Sequence, residues 1–241
     1  MSSLMIHQPE FMPWTNLFTK MSFCDHYVFL DNVQYVRRSY QNRNKFKYSD
    51  GSKWITVPVQ KTSRDELICN IEIDNSTDWR GGHKSFFEMA YGKANYYDSI
   101  IKVIDNIYDK DWTSLSDLNC FFTQQIAGYL KLNNSFSNAS KIGEAIEKSE
   151  NILNICKEMN ADNYICGYGS KQYLDEKSFK QNGINITYLE PMLIKHNQQF
   201  PQLGFIEGLS IFDYLFNNGI DEFLLKLDTY KKTIILDHDY S

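Results

Sequence analysis

Residues 4–31 read LMIHQPEFMPWTNLFTKMSFCDHYVFLD, and this stretch carries the pattern of a strand, a helix and a second strand. Residues 4–8 read as a short strand that ends at Pro9, and Pro13 suits the first turn of a helix, where its missing N–H is not needed. Apolar residues then recur at helical spacing, at Trp14, Leu17, Phe18 and Met21. Residues 27–30 form a second apolar run that is typical of a buried strand. This order predicts the start of a βαβ unit.

A β-hairpin is predicted next along the chain. Residues 45–48 and 54–59 are strand-like and flank Ser-Asp-Gly-Ser at 49–52, where the glycine tolerates the positive φ of a tight turn. Residues 68–73 alternate between polar and apolar, which predicts a further strand. We expect helices over 79–108, with a break near Gly92, and over 113–132.

The last third of the chain returns to an α/β pattern. After a polar linker at 133–140 we expect a helix at 145–160, strands at 163–166 and 184–189, a helix at about 171–181, and a final helix that Ser210 caps and Gly219 ends. The sequence therefore predicts an α/β fold, with a mainly parallel Rossmann-like sheet, an inserted β-hairpin and a helical segment in the middle. We expect one domain over residues 1–241, with the helical segment inserted at about 79–132.

Composition and charge argue against several kinds of partner and location. The chain carries a formal net charge of −5, whereas binding to a phosphate backbone needs a basic field, so we expect no nucleic-acid partner. The five cysteines are odd in number and none forms a CxxC pair, which indicates free thiols in a reducing compartment. No apolar run approaches the ~20 residues of a membrane helix, and signal-peptide features are missing from the N-terminus. We therefore expect a cytoplasmic protein without membrane insertion.

Polar side chains end the first two predicted strands. His7 and Gln8 follow the first strand, and Asp31 closes the second, with Gln34 shortly after it. The carboxyl ends of parallel strands face the ligand crevice of α/β folds. A histidine there can act as a general base, and a neighbouring carboxylate can orient it. Two alternatives stay open, namely a histidine satisfied by backbone hydrogen bonds and an aspartate that caps the next turn.

A basic and polar run, RRSYQNRN, follows at 37–44. Its arginines suit phosphate or carboxylate groups, and its amides suit sugar hydroxyls or base edges. The alternative is a solvated basic loop. A weaker signal is GYGS at 167–170, whose backbone N–H groups could receive an anion or belong to a plain turn. The histidine spacings fit no zinc pattern, so we predict no metal site.

Taken together, these motifs resemble the WbqC-like family. The resemblance is carried by IHQP at 6–9 with Pro-Trp at 13–14, FLDNVQY at 29–35, YQNRN at 40–44 and WITVPV at 54–59. It continues through ICG at 165–167 with Tyr173 and Leu174, and through LSIFDYLFN at 209–217 with a following Gly219. The chain departs from the family pattern at Cys166, where serine is frequent, and at 15–16, where Thr-Asn replaces Leu-Gly.

The resemblance implies a cytoplasmic role in bacterial O-antigen, capsule and lipopolysaccharide biosynthesis. It implies a transferase that moves an acyl or aminoacyl group onto the amino group of a nucleotide-linked amino sugar. The donor would be an activated acyl or aminoacyl compound, supplied on CoA or a carrier protein, and no cofactor is assigned. Two alternatives stay open: a nucleotide-dependent, adenylate-forming, ligase-like enzyme, and a non-catalytic subunit that binds sugar nucleotides.

The expected site lies mostly in the N-terminal 45 residues. We expect His7 to take the proton from the attacking amine and Asp31 to orient His7. Substrate binding is expected from two arginines, which would hold phosphate or carboxylate, and from several amide and hydroxyl side chains, which would hold hydroxyls or an oxyanion. The full set is Gln8, Gln34, Arg38, Tyr40, Asn42, Arg43, Ser170 and Tyr173.

Overall fold

A parallel five-stranded sheet organises the computed structural model, which describes residues 2–143 and 148–239. The strands of this described part are β1 (Ser3–His7), β2 (His26–Phe29), β3 (Arg43–Tyr48), β4 (Gly51–Thr56), β5 (Ser135–Asn138), β6 (Asn163–Gly167) and β7 (Asn185–Leu189). Five of them pair in the order β5-β2-β1-β6-β7, and every pairing is parallel. Strand β1 is central, with Met5 opposite Tyr27 of β2 and Ile165 of β6. The α/β prediction, including the mainly parallel sheet, is confirmed.

The helices of the described residues are α1 (Thr15–Met21), α2 (Trp79–Tyr91), α3 (Tyr97–Tyr108), α4 (Leu115–Tyr129), α5 (Lys148–Glu158), α6 (Glu176–Gln181) and α7 (Ile211–Asp239). Capping side chains define where several of these helices begin. The Asp78 carboxylate accepts from the N–H of Gly81 at 2.9 Å before α2, and Ser114 Oγ accepts from the N–H of Asp117 at 3.1 Å before α4. No described helix combines the length and the apolar composition that a membrane span requires.

Two apolar layers cover the two faces of the sheet, because successive side chains of a strand point to opposite sides. Met5 of β1 belongs to the larger layer, which also contains buried side chains of α1, α2, α3, α4 and α7. Leu4 and Ile6 of the same strand belong to the smaller layer, formed with α5 and α6. Strand β1 is therefore buried on both faces, so a side chain of β1 that contacts a ligand must lie at an end of the strand.

The predicted hairpin forms, with shifted strand limits. Strands β3 and β4 pair in antiparallel fashion from Arg43 opposite Thr56 to Tyr48 opposite Gly51. Two residues, at 49–50, make the turn, and Gly51 has φ of 132°. The second strand begins at this glycine and ends at Thr56, whereas the sequence pattern places it at 54–59.

Two predicted segments adopt a different structure. Residues 68–73 are not a strand, because the segment bonds to three separate partners instead of one ladder. Ile68 N donates to Val33 O, Glu72 O accepts from Gln60 N, and Ile73 N donates to Thr113 O. A 3₁₀ turn spans Ile68–Asn70. The expected polar linker at 133–140 contains β5, an edge strand beside β2 whose side chains are exposed or half-buried. An edge strand has less to bury, so it lacks the apolar run that identifies its neighbours.

Several helix limits also differ from the prediction. Pro13 lies before α1, because Trp14 is extended and forms an isolated bridge with Ser210. Helix α6 begins only at Glu176, after a 3₁₀ turn at Tyr168–Gln172. Gly219 interrupts the last helix with φ of 76° and ψ of 178°, and a second helical segment follows it to the end of α7. The start of the helix predicted at 145–160 lies outside the described residues, and α5 is described from Lys148.

Candidate functional site

His7 ends the central strand and stands between two cavities at the carboxyl edge of the sheet. The first, the Glu10 cavity, has a volume of about 350 Å³ and is lined by His7, Glu10, Trp14, Tyr40 and Gly208. The second, the Lys20 cavity, has a volume of about 240 Å³ and is lined by Met5, Ile6, His7, Lys20, Ile165, Cys166, Gly167, Gly169, Ser170 and Tyr173. This edge is where parallel α/β sheets bind their ligands.

Glu10 is the neighbour of His7 with the most unusual proton affinity. Its Oε1 lies 4.0 Å from His7 Nε2, and its side chain is 16% exposed. Burial raises the pKa of Glu10 to about 7, although the positive charge of Lys20 opposes this shift. A carboxyl group that titrates near neutral pH can both accept and release a proton under physiological conditions.

His7 is held as a neutral imidazole of one tautomer. Its Nδ1 lies 2.9 Å from Gln8 O, and since a carbonyl only accepts, Nδ1 carries the proton and Nε2 remains an acceptor facing Glu10. Burial lowers the pKa of His7 to about 4, and the charge of Lys20 adds to this effect. The imidazole is therefore uncharged at neutral pH and is a weak base, which differs from the expectation of a base poised near neutrality.

Lys20 projects from the last turn of α1 into the second cavity and is only 8% exposed. Its ammonium group makes no hydrogen bond or ion pair with any residue that the structure describes. Burial lowers the pKa of Lys20, against the opposing charges of Glu10 and Cys166. A Cβ atom on Gly167 would lie 3.6 Å from Lys20 Nζ, at ordinary contact distance, so the end of β6 forms the wall of the cavity beside the lysine.

The remaining lining side chains supply hydroxyl groups and one inert thiol. Tyr173 OH donates to Ser170 Oγ at 3.0 Å, so the two predicted binding residues in this part of the chain lie together. Burial raises the pKa of Cys166 to about 11, so the thiol is protonated at neutral pH and is not an activated nucleophile. All five cysteines are free in the described structure.

Asp31 lies in a different environment from His7. It is 2% exposed, and its carboxylate accepts from Ser140 N and Asn138 Nδ2, each at 2.8 Å, and from Ser140 Oγ at 2.9 Å. Within the described residues no hydrogen bond or ion pair joins Asp31 to His7. The expected His–Asp pair is therefore not formed. Asp31 instead holds the end of β2 to the end of β5 and the turn after it. The capping alternative concerned the turn that follows Asp31 in the chain, whereas the carboxylate accepts from residues 138 and 140.

The polar run after β2 mostly binds the protein itself. Arg43 stacks with its guanidinium carbon 4.0 Å from the ring centre of Trp54 and donates to Arg38 O. Asn42 Nδ2 donates to Val57 O at 3.0 Å, and Gln34 Nε2 donates to Arg64 O at 2.7 Å. These side chains line neither cavity, so the structure does not bring Arg38, Arg43, Asn42 and Gln34 to His7.

Two of the predicted binding residues lie at or beside the Glu10 cavity. Tyr40 lines it, and its ring centre is 5.4 Å from that of Trp54. Gln8 adjoins His7 and accepts from Gln41 Nε2 at 2.8 Å. Together with Ser170 and Tyr173 in the Lys20 cavity, these are the expected binding residues that the fold places near His7.

Sequence reasoning missed Glu10 and Lys20. A local signal existed for each. Glu10 follows His7 by three positions across Pro9, and Lys20 is the single charged residue of α1, a helix in which residues 16–21 are all buried. A lysine on a fully buried helix must have a reason to be there, because burying its charge is costly.

Comparison with known proteins agrees with the motifs. A model of the WbqC-like protein family matches residues 8–224. The chain belongs to this family. The match includes Glu10, Lys20 and the loop that carries Ser170. This WbqC-like chain is 31% identical over 224 residues to a relative, the uncharacterized protein Rv1507c of Mycobacterium tuberculosis (strain ATCC 25618 / H37Rv). The aligned region covers 92% of this chain and 96% of the relative. No solved structure matches the chain.

No group of three or more His, Cys, Asp or Glu side chains that could hold a metal ion occurs among residues 2–143 and 148–239.

Proposed function

We propose that this WbqC-like protein transfers an acyl or aminoacyl group onto the amino group of a nucleotide-linked amino sugar, in the cytoplasmic biosynthesis of a bacterial surface polysaccharide. The observation that carries the proposal is the pair of cavities that meet at His7, with Glu10 beside it and a pKa of about 7. His7 lines both cavities and Glu10 lines one of them, so a substrate that spans the two places its reacting group beside Glu10.

Glu10 is the proposed general base. The acceptor amine forms a bond to the acyl carbon, the bond from that carbon to the leaving group breaks with its electron pair, and the nitrogen releases a proton to the Glu10 carboxylate. With a pKa of about 7, Glu10 is ionised in part of the molecules at neutral pH and can accept a proton there. This assignment moves the role of base from His7 to Glu10.

His7 is proposed to position the amine instead of deprotonating it. Its Nδ1–H is bound to Gln8 O, so its Nε2 lone pair faces the cavity as a fixed hydrogen-bond acceptor. An acceptor held in this way can receive a hydrogen bond from an N–H group at the reacting position. Tyr40, on the wall of the same cavity and packed near Trp54, supplies an aromatic face on which a sugar ring can rest.

The test is a transfer assay with a panel of nucleotide-linked amino sugars and acyl-CoA or aminoacyl donors, read by mass spectrometry as the mass added to the sugar. Glu10→Gln should reduce kcat by about 10²- to 10⁴-fold, the usual contribution of a general base. The matched control is Glu88→Gln, which changes an exposed glutamate of α2 and should leave kcat unchanged.

Three outcomes would contradict the proposal. In the first, Glu10→Gln keeps more than about a tenth of wild-type turnover, so Glu10 is not the base. In the second, ATP is cleaved with release of pyrophosphate, which would indicate an adenylate-forming, ligase-like enzyme. In the third, a sugar nucleotide binds tightly and no donor of the panel is consumed, which would indicate a non-catalytic binding subunit.

A further inference from the structure

The Lys20 cavity contains a buried cation without a partner. Lys20 is more than nine-tenths buried, and no described residue offers its ammonium group a hydrogen bond or an ion pair. An isolated buried charge is unfavourable, and proteins normally pair it with an opposite charge. A lysine that served only the fold would be paired within the protein. The missing partner of Lys20 is therefore expected to come from outside the chain.

The walls of this cavity suit an anion. Lys20 is the one lysine or arginine among the residues that line it, and no aspartate or glutamate lines it. His7 is neutral because its pKa is lowered to about 4, and the thiol of Cys166 is neutral because its pKa is raised to about 11. Ser170 and Tyr173 add hydroxyl groups, and Gly169, where a Cβ atom would meet nothing within 4 Å, leaves the backbone open to a ligand.

Glu10 does not act as the direct partner of Lys20. The charges influence each other, since Lys20 lowers the pKa of Glu10 and Glu10 raises that of Lys20. However, no pair of their charged atoms lies within 4.0 Å, whereas Glu10 does reach His7 at that distance. Glu176, the other acid whose charge is felt near Cys166, is bonded to Tyr188 OH. The space in front of Lys20 Nζ is thus available.

We propose that the Lys20 cavity binds an oxyanion of the substrate, a phosphoryl group or a carboxylate, on Lys20 Nζ. The cavity has a volume of about 240 Å³. It is smaller than the ~300–1,000 Å³ of pockets that enclose a whole drug-sized ligand. The cavity therefore accepts the charged part of a substrate, and the rest of the molecule extends past His7 into the Glu10 cavity.

This inference deepens the proposed function but is tested without turnover. The probes are inorganic pyrophosphate and acetate, titrated separately into the protein by calorimetry with no acyl donor present. Lys20→Met should weaken binding of the preferred probe by about 10- to 100-fold, the value of one charged hydrogen bond. Lys177→Met, which removes an exposed lysine of α6, is the matched control and should bind like the wild type.

Proton uptake gives a second readout. Because burial lowers the pKa of Lys20 and an anion raises it again, binding should take up protons between neutral pH and the ordinary lysine pKa of about 10.4. The uptake is measured by repeating the calorimetry in buffers of different ionisation enthalpy, and it should vanish in Lys20→Met. Urea unfolding should show Lys20→Met to be at least as stable as the wild type, because the variant no longer buries a charge.

The two probes also identify the kind of anion. Preference for pyrophosphate indicates a phosphoryl group, and preference for acetate indicates a carboxylate. The proposal is overturned if neither probe binds the wild type at millimolar concentration, or if Lys20→Met binds both as well as the wild type does. A failed transfer assay together with Lys20-dependent binding would reject the transferase and leave the anion site in place.

Discussion

Replacing Asp213 by alanine should cost about 3–5 kcal/mol of unfolding free energy, because it leaves three buried donors without the carboxylate that accepts from them. Asp213 is fully buried in α7. Its carboxylate accepts from His196 Nε2 at 2.9 Å, from Gln198 Nε2 at 3.0 Å and from Tyr91 OH at 2.7 Å. The other ring nitrogen of His196 lies 2.9 Å from Ile194 O.

The loss of Asp213 should also loosen one particular segment of the chain, in addition to lowering the overall stability. Gln198 is bonded in both directions to the backbone of Ile206, at 2.9 Å each, and Gly208 shortly after it lines the Glu10 cavity. Loss of Asp213 should therefore release residues 194–208 before the rest of the fold. Hydrogen–deuterium exchange should show this segment exchanging faster in Asp213→Ala, while β1 and β6 remain protected.

Two further variants make the test quantitative. Asp213→Asn keeps the shape and can still accept one hydrogen bond, so its cost should be smaller, about 1–3 kcal/mol. Asp228→Asn removes a surface carboxylate that is 63% exposed and lies 2.6 Å from Lys232, and it should change stability by no more than about 0.5 kcal/mol. All three are measured by urea unfolding. A cost of less than about 1 kcal/mol for Asp213→Ala would refute the account of a buried hydrogen-bonded network.

Three other predictions concern stability and reactivity. Gly219→Ala should destabilise the fold by about 1–3 kcal/mol, because the backbone at φ of 76° and ψ of 178° is open to glycine alone and a Cβ would lie 2.7 Å from the ring of Tyr96. Gly82→Ala in α2, where the space is open, should stabilise it by up to about 1 kcal/mol. Urea midpoints that move in the same direction in both variants would contradict this. Burial lowers the pKa of His83 to about 4, so the neutral imidazole stabilises the fold above the unfolded pKa of 6.5, and about 3 kcal/mol of that stability should be lost as the pH falls from there through 4. Chemical unfolding at pH 7 and pH 4 should show that the unfolding free energy of His83→Gln depends less on pH than that of the wild type. An equal pH dependence in the two proteins would disprove this. A disulfide reagent should modify one thiol of the native protein rapidly, because Cys69 is half-buried while the other four cysteines are buried. Cys69→Ser should remove this fast phase of the reaction. A fast phase that persists in the variant would contradict the described burial.

The central part of the fold was predictable because its strands are buried on both faces. Such strands read as continuous apolar runs, and helical spacing at Trp14, Leu17, Phe18 and Met21 lies between two of them. Strand β5 was not predictable in the same way, since it forms an edge and needs no apolar run. Residues 68–73 alternate like a strand, yet their hydrogen bonds go to three different segments, which local sequence cannot show.

The candidate site was predictable only in part, for a related reason. His7 could be placed at the sheet edge because it ends a strand of the βαβ unit. Its neighbours depend on tertiary packing. Lys20 meets Cys166 and Gly167, which lie more than a hundred positions later, and Asp31 turns to Ser140 instead of His7. Which polar residues share a cavity follows from how α1 packs on β6, and no periodicity records that.

The most direct test of the account is the titration of the Glu10 carboxyl group, followed by carbon NMR of protein labelled at glutamate. The account predicts one carboxyl with a pKa of about 7 that is missing in Glu10→Gln. It also predicts a higher pKa in Lys20→Met, because the positive charge that favours ionisation is gone. A Glu10 carboxyl that titrates near the ordinary value of about 4.3, or that does not respond to Lys20→Met, would contradict the claim that these two residues and His7 form one site.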